Sequence, residues 1–294
     1  DKIKEIDPKQ KVQFTLSIAI SNEGKNDKDK YKSAQTAMDI VLGRGGDQAV
    51  IRQNDIYKFF GGRAQEVEKR TKVKARVVAH ALENLIKESS KVMIMGHMNP
   101  DIDAMGSSIG VYRIAKSLDK NAYIITSNTP TLQSFKESLL AEEPEYEDVL
   151  ISKEVAEENI DEDTLLVIVD THKTTYVESE EVVKKAKKIV VIDHHRRSAD
   201  YIEDATLTFQ EVYASSAAEL VTELLQYTDV NVELKKIEAE SLYAGIMMDT
   251  KSFTFKTGVR TFEAAAYLRR CGVDIIKVKK WFQSDLQSFN IIAD

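Results

Sequence analysis

The larger, later part of the chain alternates short apolar runs with segments of helical periodicity. The apolar runs KVMIMGH, AYIITS, TLLVIVD and KIVVIDHH predict strands within residues 91–97, 122–127, 164–170 and 188–195. Helical spacing at residues 103–118 and 176–187 separates them along the chain. Continuous apolar strands are typical of parallel sheets covered on both faces. The pattern therefore predicts an α/β fold with a doubly wound, mainly parallel sheet.

Further helices are predicted after the last of these strands. Their apolar positions recur at helical spacing in residues 215–228, 233–249, 261–270 and 273–294. The charged stretch before residue 160 shows no clear period, and we expect it to be irregular.

The first sixty residues have a different rhythm and predict a small α+β unit. Alternation in residues 12–20 indicates a strand, residues 31–46 a helix, and residues 47–60 a hairpin. A connecting helix over residues 65–89 follows, and its basic run KRTKVKAR is interpreted as a solvated face rather than an anion-binding patch. The predicted domains are residues 1–62, the connection 63–90, a main domain 91–275 and a linker helix 276–294.

Composition limits the classes of function. The 294 residues carry a net charge of −7, which does not favour wide binding to duplex nucleic acid. The single cysteine, Cys271, excludes a disulfide within the chain. No apolar run approaches the length of a membrane span. Because the sequence starts at Asp1 without an initiator methionine, we expect it to be a fragment of a longer protein.

Histidines and aspartates gather where the predicted strands end, at one edge of the sheet. Five aspartates in one cleft would repel one another strongly unless cations neutralised them. Ligands of this kind without thiolate favour a hard divalent ion, manganese or magnesium, with cobalt left open. The candidate ligands are His97, Asp101, Asp103, Asp170, His194 and Asp249. For Asp101 and Asp103 the competing interpretation is that either caps the helix that follows.

Other polar residues suit a phosphate substrate. Asp193 is predicted to orient a neighbouring ligand, and His195 to stabilise charge on phosphate or to assist the leaving oxygen. His172 could donate a hydrogen bond behind the ligands, touch substrate or be structural. Residues 106–108 begin a helix and could bind an anion through backbone N–H groups, with ordinary capping as the alternative. Lys251, Lys256 and Arg260 could also contact a phosphate, with helix capping and ordinary surface charge as the alternative.

The blocks HMNPDID, VDTH, IDHH and MMDT resemble the DHH phosphoesterase superfamily. The flanking text VVVIDHHRR and DTKSFTFKTGVRTFEAA looks like the GdpP-type cyclic-di-AMP phosphodiesterases of Gram-positive bacteria. The resemblance implies one manganese ion on His97, Asp101 and Asp170. It implies a second on Asp103, Asp170, His194 and Asp249, with Asp170 as the bridge. It further implies that a water activated by both ions opens cyclic di-AMP to linear pApA, with His195 and Asp193 as catalytic residues.

Residues 1–62 resemble the C-terminal half of a degenerate GGDEF domain. The stretch Gly45-Gly46-Asp47-Gln48 closes a helix and is not the GGDEF motif, so no cyclase activity is expected.

Members of the resembled family carry parts that this sequence lacks: a sensor domain, membrane helices and a C-terminal domain with a Gly-Gly-Gly-His motif. The resemblance therefore implies that the chain lies on the cytoplasmic side of a membrane-anchored parent protein. It also implies that the fragment has only part of the substrate-binding site. Two alternatives stay open: a phosphoesterase for short oligonucleotides or pyrophosphate, and an inert metal-binding or dimerisation fragment. A second copy of the chain is accordingly left open as a partner.

Overall fold

The computed structural model describes residues 16–43, 48–53, 56–61 and 64–282. The chain divides into two compact units, Asp1–Lys69 and Arg70–Asp294. Within the described residues, no helix is both long enough and apolar enough for a bilayer crossing.

The first unit is a small α+β arrangement, as its alternating pattern predicted. It comprises β1 (Ile18–Ser21), α1 (Asp27–Gly43), β2 (Gln48–Gln53) and β3 (Ile56–Gly61). Strands β1 and β2 precede and follow α1 in the sequence and pair with each other in parallel. Strands β2 and β3 form the predicted hairpin. Helix α1 begins earlier than residue 31, because the Asn26 side chain accepts a hydrogen bond from the backbone of Asp29. Predicted strand residues 12–15 lie outside the described residues.

The second unit is built on a six-stranded, fully parallel sheet in the order β6-β5-β4-β7-β8-β9. The strands are β4 (Lys91–Met95), β5 (Asn121–Ile125), β6 (Leu150–Ile151), β7 (Leu165–Val169), β8 (Lys188–Asp193) and β9 (Leu207–Gln210). Helix α2 (Ala64–Lys87) begins in the first unit and ends in the second. The helices that follow it are α3 (Ile102–Ser117), α4 (Gln133–Glu142), α5 (Tyr146–Val149), α6 (Lys153–Asn159), α7 (Glu180–Lys185), α8 (Ala217–Leu225), α9 (Lys236–Asp249) and α10 (Val259–Arg270).

Successive side chains of the central strands enter two separate hydrophobic cores, one on each face of the sheet. On β4, Val92 and Ile94 join the core shared with α3, α8 and α9. Met93 and Met95 join the other core, with residues of α6 and α7. Both faces are thus covered by helices, and the doubly wound parallel fold predicted from the apolar runs is confirmed.

The prediction of irregular structure before residue 160 was wrong. This stretch holds α4, α5, β6 and α6. The pattern is hard to detect because β6 has two residues and α4 buries few apolar side chains, among them Phe135 and Leu139. Strand β9 was also missed, since Phe209 is its one buried residue. The predicted helix 176–187 shrinks to α7, which the Ser179 side chain caps.

The order of the strands fixes where a ligand can bind. The chain moves outward from β4 through β5 to β6, and then returns to the other side of β4 to form β7. A doubly wound sheet opens a crevice at such a switch point, beyond the carboxyl ends of the strands. The residues that follow β4 and β7 therefore face each other across this crevice.

Candidate metal centre

His97 and Asp101 meet just beyond the end of β4. Asp101 is the N-cap of α3: its Oδ1 accepts hydrogen bonds from the backbone N–H groups of Asp103 and Ala104, at 2.9 and 3.0 Å. Its other oxygen, Oδ2, lies 3.7 Å from His97 Nε2. The two interpretations of Asp101 are therefore compatible, since one oxygen caps the helix and the other is turned toward the histidine.

Asp170 lies at the centre of the site, directly after β7. Its backbone has a φ of 59°, a left-handed conformation that is uncommon for a residue other than glycine. Asp170 Oδ2 lies 3.5 Å from His97 Nε2, while Oδ1 lies 3.2 Å from His194 Nε2. Each oxygen of one carboxylate is thus turned toward a different histidine.

Asp103, His194 and Asp249 form the second group around Asp170. His194 Nε2 lies 3.1 Å from Asp249 Oδ2 and 4.0 Å from Asp103 Oδ2. The buried Asp103 carboxyl also accepts hydrogen bonds from the first backbone N–H groups of α8, those of Ala217 and Ala218, at 2.8 and 2.9 Å. Three helices, α3, α8 and α9, therefore fix this side of the site.

These side chains could hold metal ions. Ligand atoms of His97, Asp101 and Asp170 lie within 4.8 Å of one another, and so do those of Asp103, His194 and Asp249. Among the described residues, Asp170 Oδ1 and His194 Nε2 are buried without a hydrogen-bond partner. Buried polar atoms of this kind need another partner, and a cation would supply one. All donors are nitrogen or oxygen, which suits a divalent ion of the hard or intermediate class.

The pKa values of the two histidines also indicate that the site can accommodate cations. Burial lowers the pKa of His97, but the carboxylates of Asp101 and Asp170 outweigh it and raise that pKa to about 10. Burial also lowers the pKa of His194, and the carboxylates of Asp170 and Asp249 raise it to about 11. Protons on these histidines offset the negative charge of the carboxylates, as bound cations would.

The pKa values of the buried carboxyls of Asp103 and Asp170 shift in opposite directions. Burial raises the pKa of Asp103 well above its usual value, and the charges of Asp170 and Asp249 add to that effect. Burial also favours the neutral form of Asp170, but the adjacent His194 and His97 hold its pKa below the usual value. Asp170 is therefore the more strongly anionic of the two.

Asp193 holds two histidines behind and beside the site. Its Oδ1 accepts a hydrogen bond from His195 Nδ1 at 2.7 Å, and its Oδ2 is bonded to Nδ1 of the buried His172. The backbone N–H of Ser198 donates to His172 Nε2 at 2.9 Å, so the remaining proton of a neutral His172 is on Nδ1 and points to Asp193. The structure therefore joins Asp193 to His172 and His195 rather than to a predicted metal ligand.

Two of the predicted phosphate contacts are structural. Gly106 lies in the second turn of α3, where a Cβ atom would be 2.5 Å from the carbonyl oxygen of Ser241 in α9. Ser108 is buried and donates to the Ala104 carbonyl. The interpretation of residues 106–108 as an anion site was wrong, because this part of α3 packs against α9. Arg260 is likewise paired with the partly buried Glu223 through two nitrogens.

Some residues near the site carried no usable signal in the sequence. The Tyr176 ring stacks on His97, with centroids 5.3 Å apart and planes 8° from parallel. Ser198 fixes His172 from a loop that follows β8. Both contacts depend on loop paths that hydrophobic periodicity does not describe.

Comparison with known proteins gives two family matches. Residues 91–246 match the DHH family, N-terminal domain. Residues 1–59 match the cyclic-di-AMP phosphodiesterase GdpP-like, GGDEF domain.

Two curated relatives align with almost all of the chain. It is 44% identical over 293 residues to the cyclic-di-AMP phosphodiesterase PdeA of Listeria monocytogenes, covering 98% of this chain and 44% of that protein. Identity and coverage are the same for the cyclic-di-AMP phosphodiesterase GdpP of Bacillus subtilis. The chain thus spans less than half the length of these relatives.

Among solved structures, the fold is similar to an exopolyphosphatase-related protein from Bacteroides fragilis. The TM-score is 0.60 at 24% identity, and the match covers 70% of this chain and 59% of the other. This likeness supports the α/β fold.

Proposed function

The chain belongs to the DHH family, as its motifs predicted. On that premise, we propose that it hydrolyses cyclic di-AMP to linear pApA. The proposed cofactors are two divalent metal ions, with manganese as the preferred metal. The relatives that align with almost all of the chain are named for activity on this substrate. Their match extends through both the GGDEF-like and the DHH segments.

One observation carries the two-ion part of the proposal. The two oxygens of Asp170 face separate groups: Oδ2 faces His97 at 3.5 Å, and Oδ1 faces His194 at 3.2 Å. A carboxylate placed in this way can bridge two cations. The first would be held by His97, Asp101 and Asp170, and the second by Asp103, Asp170, His194 and Asp249.

Two bound ions would supply Lewis acidity to the phosphoryl group and would lower the pKa of the attacking water. The protein's own residues then have to position the substrate and handle protons. Water adds to phosphorus, and the bond from phosphorus to the 3′-oxygen breaks. The products are a 5′-phosphate and a free 3′-hydroxyl, as in pApA.

His195 is the proposed proton donor to the departing 3′-oxygen. Its side chain is 53% exposed, and its Nδ1 is held by Asp193. That bond leaves Nε2 available to donate to the leaving oxygen, while Asp193 stabilises the charged ring. Asp193 thus has a catalytic role in this proposal by orienting His195.

A substrate panel in manganese tests the function. We expect cyclic di-AMP to be converted to pApA, and reaction in ¹⁸O-labelled water to place one heavy oxygen on the new phosphate. Short oligoribonucleotides and pyrophosphate are the competing substrates. Cleavage of pyrophosphate with cyclic di-AMP left intact would show that the proposal is wrong.

A further inference from the structure

The segment that follows Asp249 has an unusual backbone. Lys251, Ser252 and Phe253 have φ values of 46°, 58° and 64°, and Lys256 has a φ of 50°. L-residues other than glycine visit this left-handed region as single residues, and a run of three is strained. Strain of this kind persists only where surrounding contacts impose it, and it concentrates at functional sites.

Thr250 and Phe253 impose this conformation. The Thr250 carbonyl accepts hydrogen bonds from the backbone of Thr254 and Phe255, at 2.8 and 2.9 Å. The Thr250 hydroxyl accepts another from the backbone of Phe253, at 2.9 Å. The Phe253 ring then packs against Tyr243, with ring centroids 5.5 Å apart. The turn is therefore rigidly attached to the end of α9, one residue beyond the proposed metal ligand Asp249.

The strained turn presents an aromatic ring and two ammonium groups to solvent. Phe255 is 48% exposed, and Lys251 Nζ lies 5.0 Å from the centroid of its ring. In the part of the chain that the structure describes, Lys251 and Lys256 form no salt bridge with a carboxylate. Phe253 fixes the turn from its buried side, so Phe255 is not needed as its anchor.

We propose that this turn is a nucleotide-binding subsite of the metal centre. Phe255 stacks on one nucleobase of the dinucleotide, and Lys251 contacts a phosphate. The inference rests on the proposed function for the identity of the ligand. Every base has a π-face, and aromatic side chains bind it largely without regard to sequence. Lys251 follows the proposed ligand Asp249 by two residues, and a positive group there would offset the repulsion that a dianionic substrate meets at an acidic site.

Isothermal titration of the manganese-loaded chain with pApA, and separately with inorganic phosphate, tests the subsite. Loss of one base stack is expected to weaken pApA binding by about 10-fold or more in Phe255→Ala. Phosphate affinity and metal content should not change, and Phe255→Tyr should bind pApA as the unmodified chain does. Tyr31→Ala removes an aromatic ring in the first unit that is more exposed than Phe255, at 68%, and should have no effect.

A spectroscopic readout reports the stack directly. The fluorescence of a dinucleotide that carries 2-aminopurine should be quenched on binding, and Phe255→Ala should abolish most of that quenching. The subsite is disproved if Phe255→Ala binds pApA normally, or if it weakens phosphate and pApA equally. It is also disproved if the metal-loaded chain does not bind pApA at all.

The subsite and the proposed function can fail separately. Phe255-dependent binding of pApA without hydrolysis of cyclic di-AMP would leave the subsite standing and remove the activity. Hydrolysis of cyclic di-AMP with a KM that Phe255→Ala does not raise would leave the activity standing and remove the subsite.

Discussion

Gly245 of α9 lies directly against Asp103 of α3. A Cβ atom at position 245 would be 2.7 Å from Asp103 Oδ1 and 2.9 Å from the Cβ of Ala218. Asp103 Oδ1 in turn accepts the backbone hydrogen bond of Ala218. The absent side chain at Gly245 thus allows α3, α8 and α9 to converge on one proposed metal ligand.

Gly245→Ala should therefore impair metal binding. The added methyl group has to displace Asp103 or the start of α8, and displaced supporting contacts typically weaken metal affinity by about 10- to 100-fold. Metal analysis after gel filtration should show loss of one ion, the one assigned to Asp103, His194 and Asp249. Gly258→Ala is the matched control, because nothing lies within 4 Å of its added carbon. Full metal content in Gly245→Ala would contradict this account.

The proposed bridging role of Asp170 gives a different expectation for its variants. Asp170→Ala should release both ions, because in the proposed arrangement Asp170 Oδ2 faces the group with His97 and Asp170 Oδ1 faces His194 of the other group. Asp249→Ala should release mainly the ion held with His194. Asp204→Ala, at an exposed aspartate away from the groups of ligand atoms, should retain two ions. An Asp170→Ala protein that kept two ions would refute the bridge.

The sequence predicted the sheet and the convergence of the candidate ligands because both depend on local patterns. Apolar runs marked β4, β7 and β8, and His97, Asp170 and His194 immediately follow those runs. Parallel strands place their carboxyl ends at one edge, so the convergence followed from the fold class.

Other contacts could not be predicted, because they depend on close packing between distant segments. Nothing in the residues around Gly106 indicates how closely α9 approaches it. A Cβ atom added at Gly106 would lie 2.5 Å from the α9 backbone. For Arg260 the sequence left a phosphate contact and a surface charge equally open, whereas in the structure it pairs with Glu223, 37 positions earlier. A charged side chain has the same signature in sequence whether it faces a substrate or a partner in the fold.

Arg260 should matter for stability. The Arg260 and Glu223 side chains are each about 10% exposed, and removing one partner of such a pair leaves a charge without compensation. Arg260→Met is expected to lower the free energy of unfolding by about 3–5 kcal/mol. Urea denaturation should show the loss, and the double variant with Glu223→Met should recover most of it. Weaker phosphate binding with unchanged stability would restore the phosphate interpretation.

His172 should affect catalysis through Asp193. Because Ser198 fixes the tautomer of His172, its Nδ1–H is directed at Asp193 Oδ2, and the other oxygen of Asp193 holds His195 Nδ1 at 2.7 Å. His172→Ala should leave Asp193 and His195 less well oriented and lower kcat for cyclic di-AMP by about 10-fold or more. KM and metal content should stay unchanged. His172→Asn can place an amide N–H near the former Nδ1 and should recover part of kcat. A parallel loss of metal in both variants would instead mean that His172 supports the ligands rather than the proton donor.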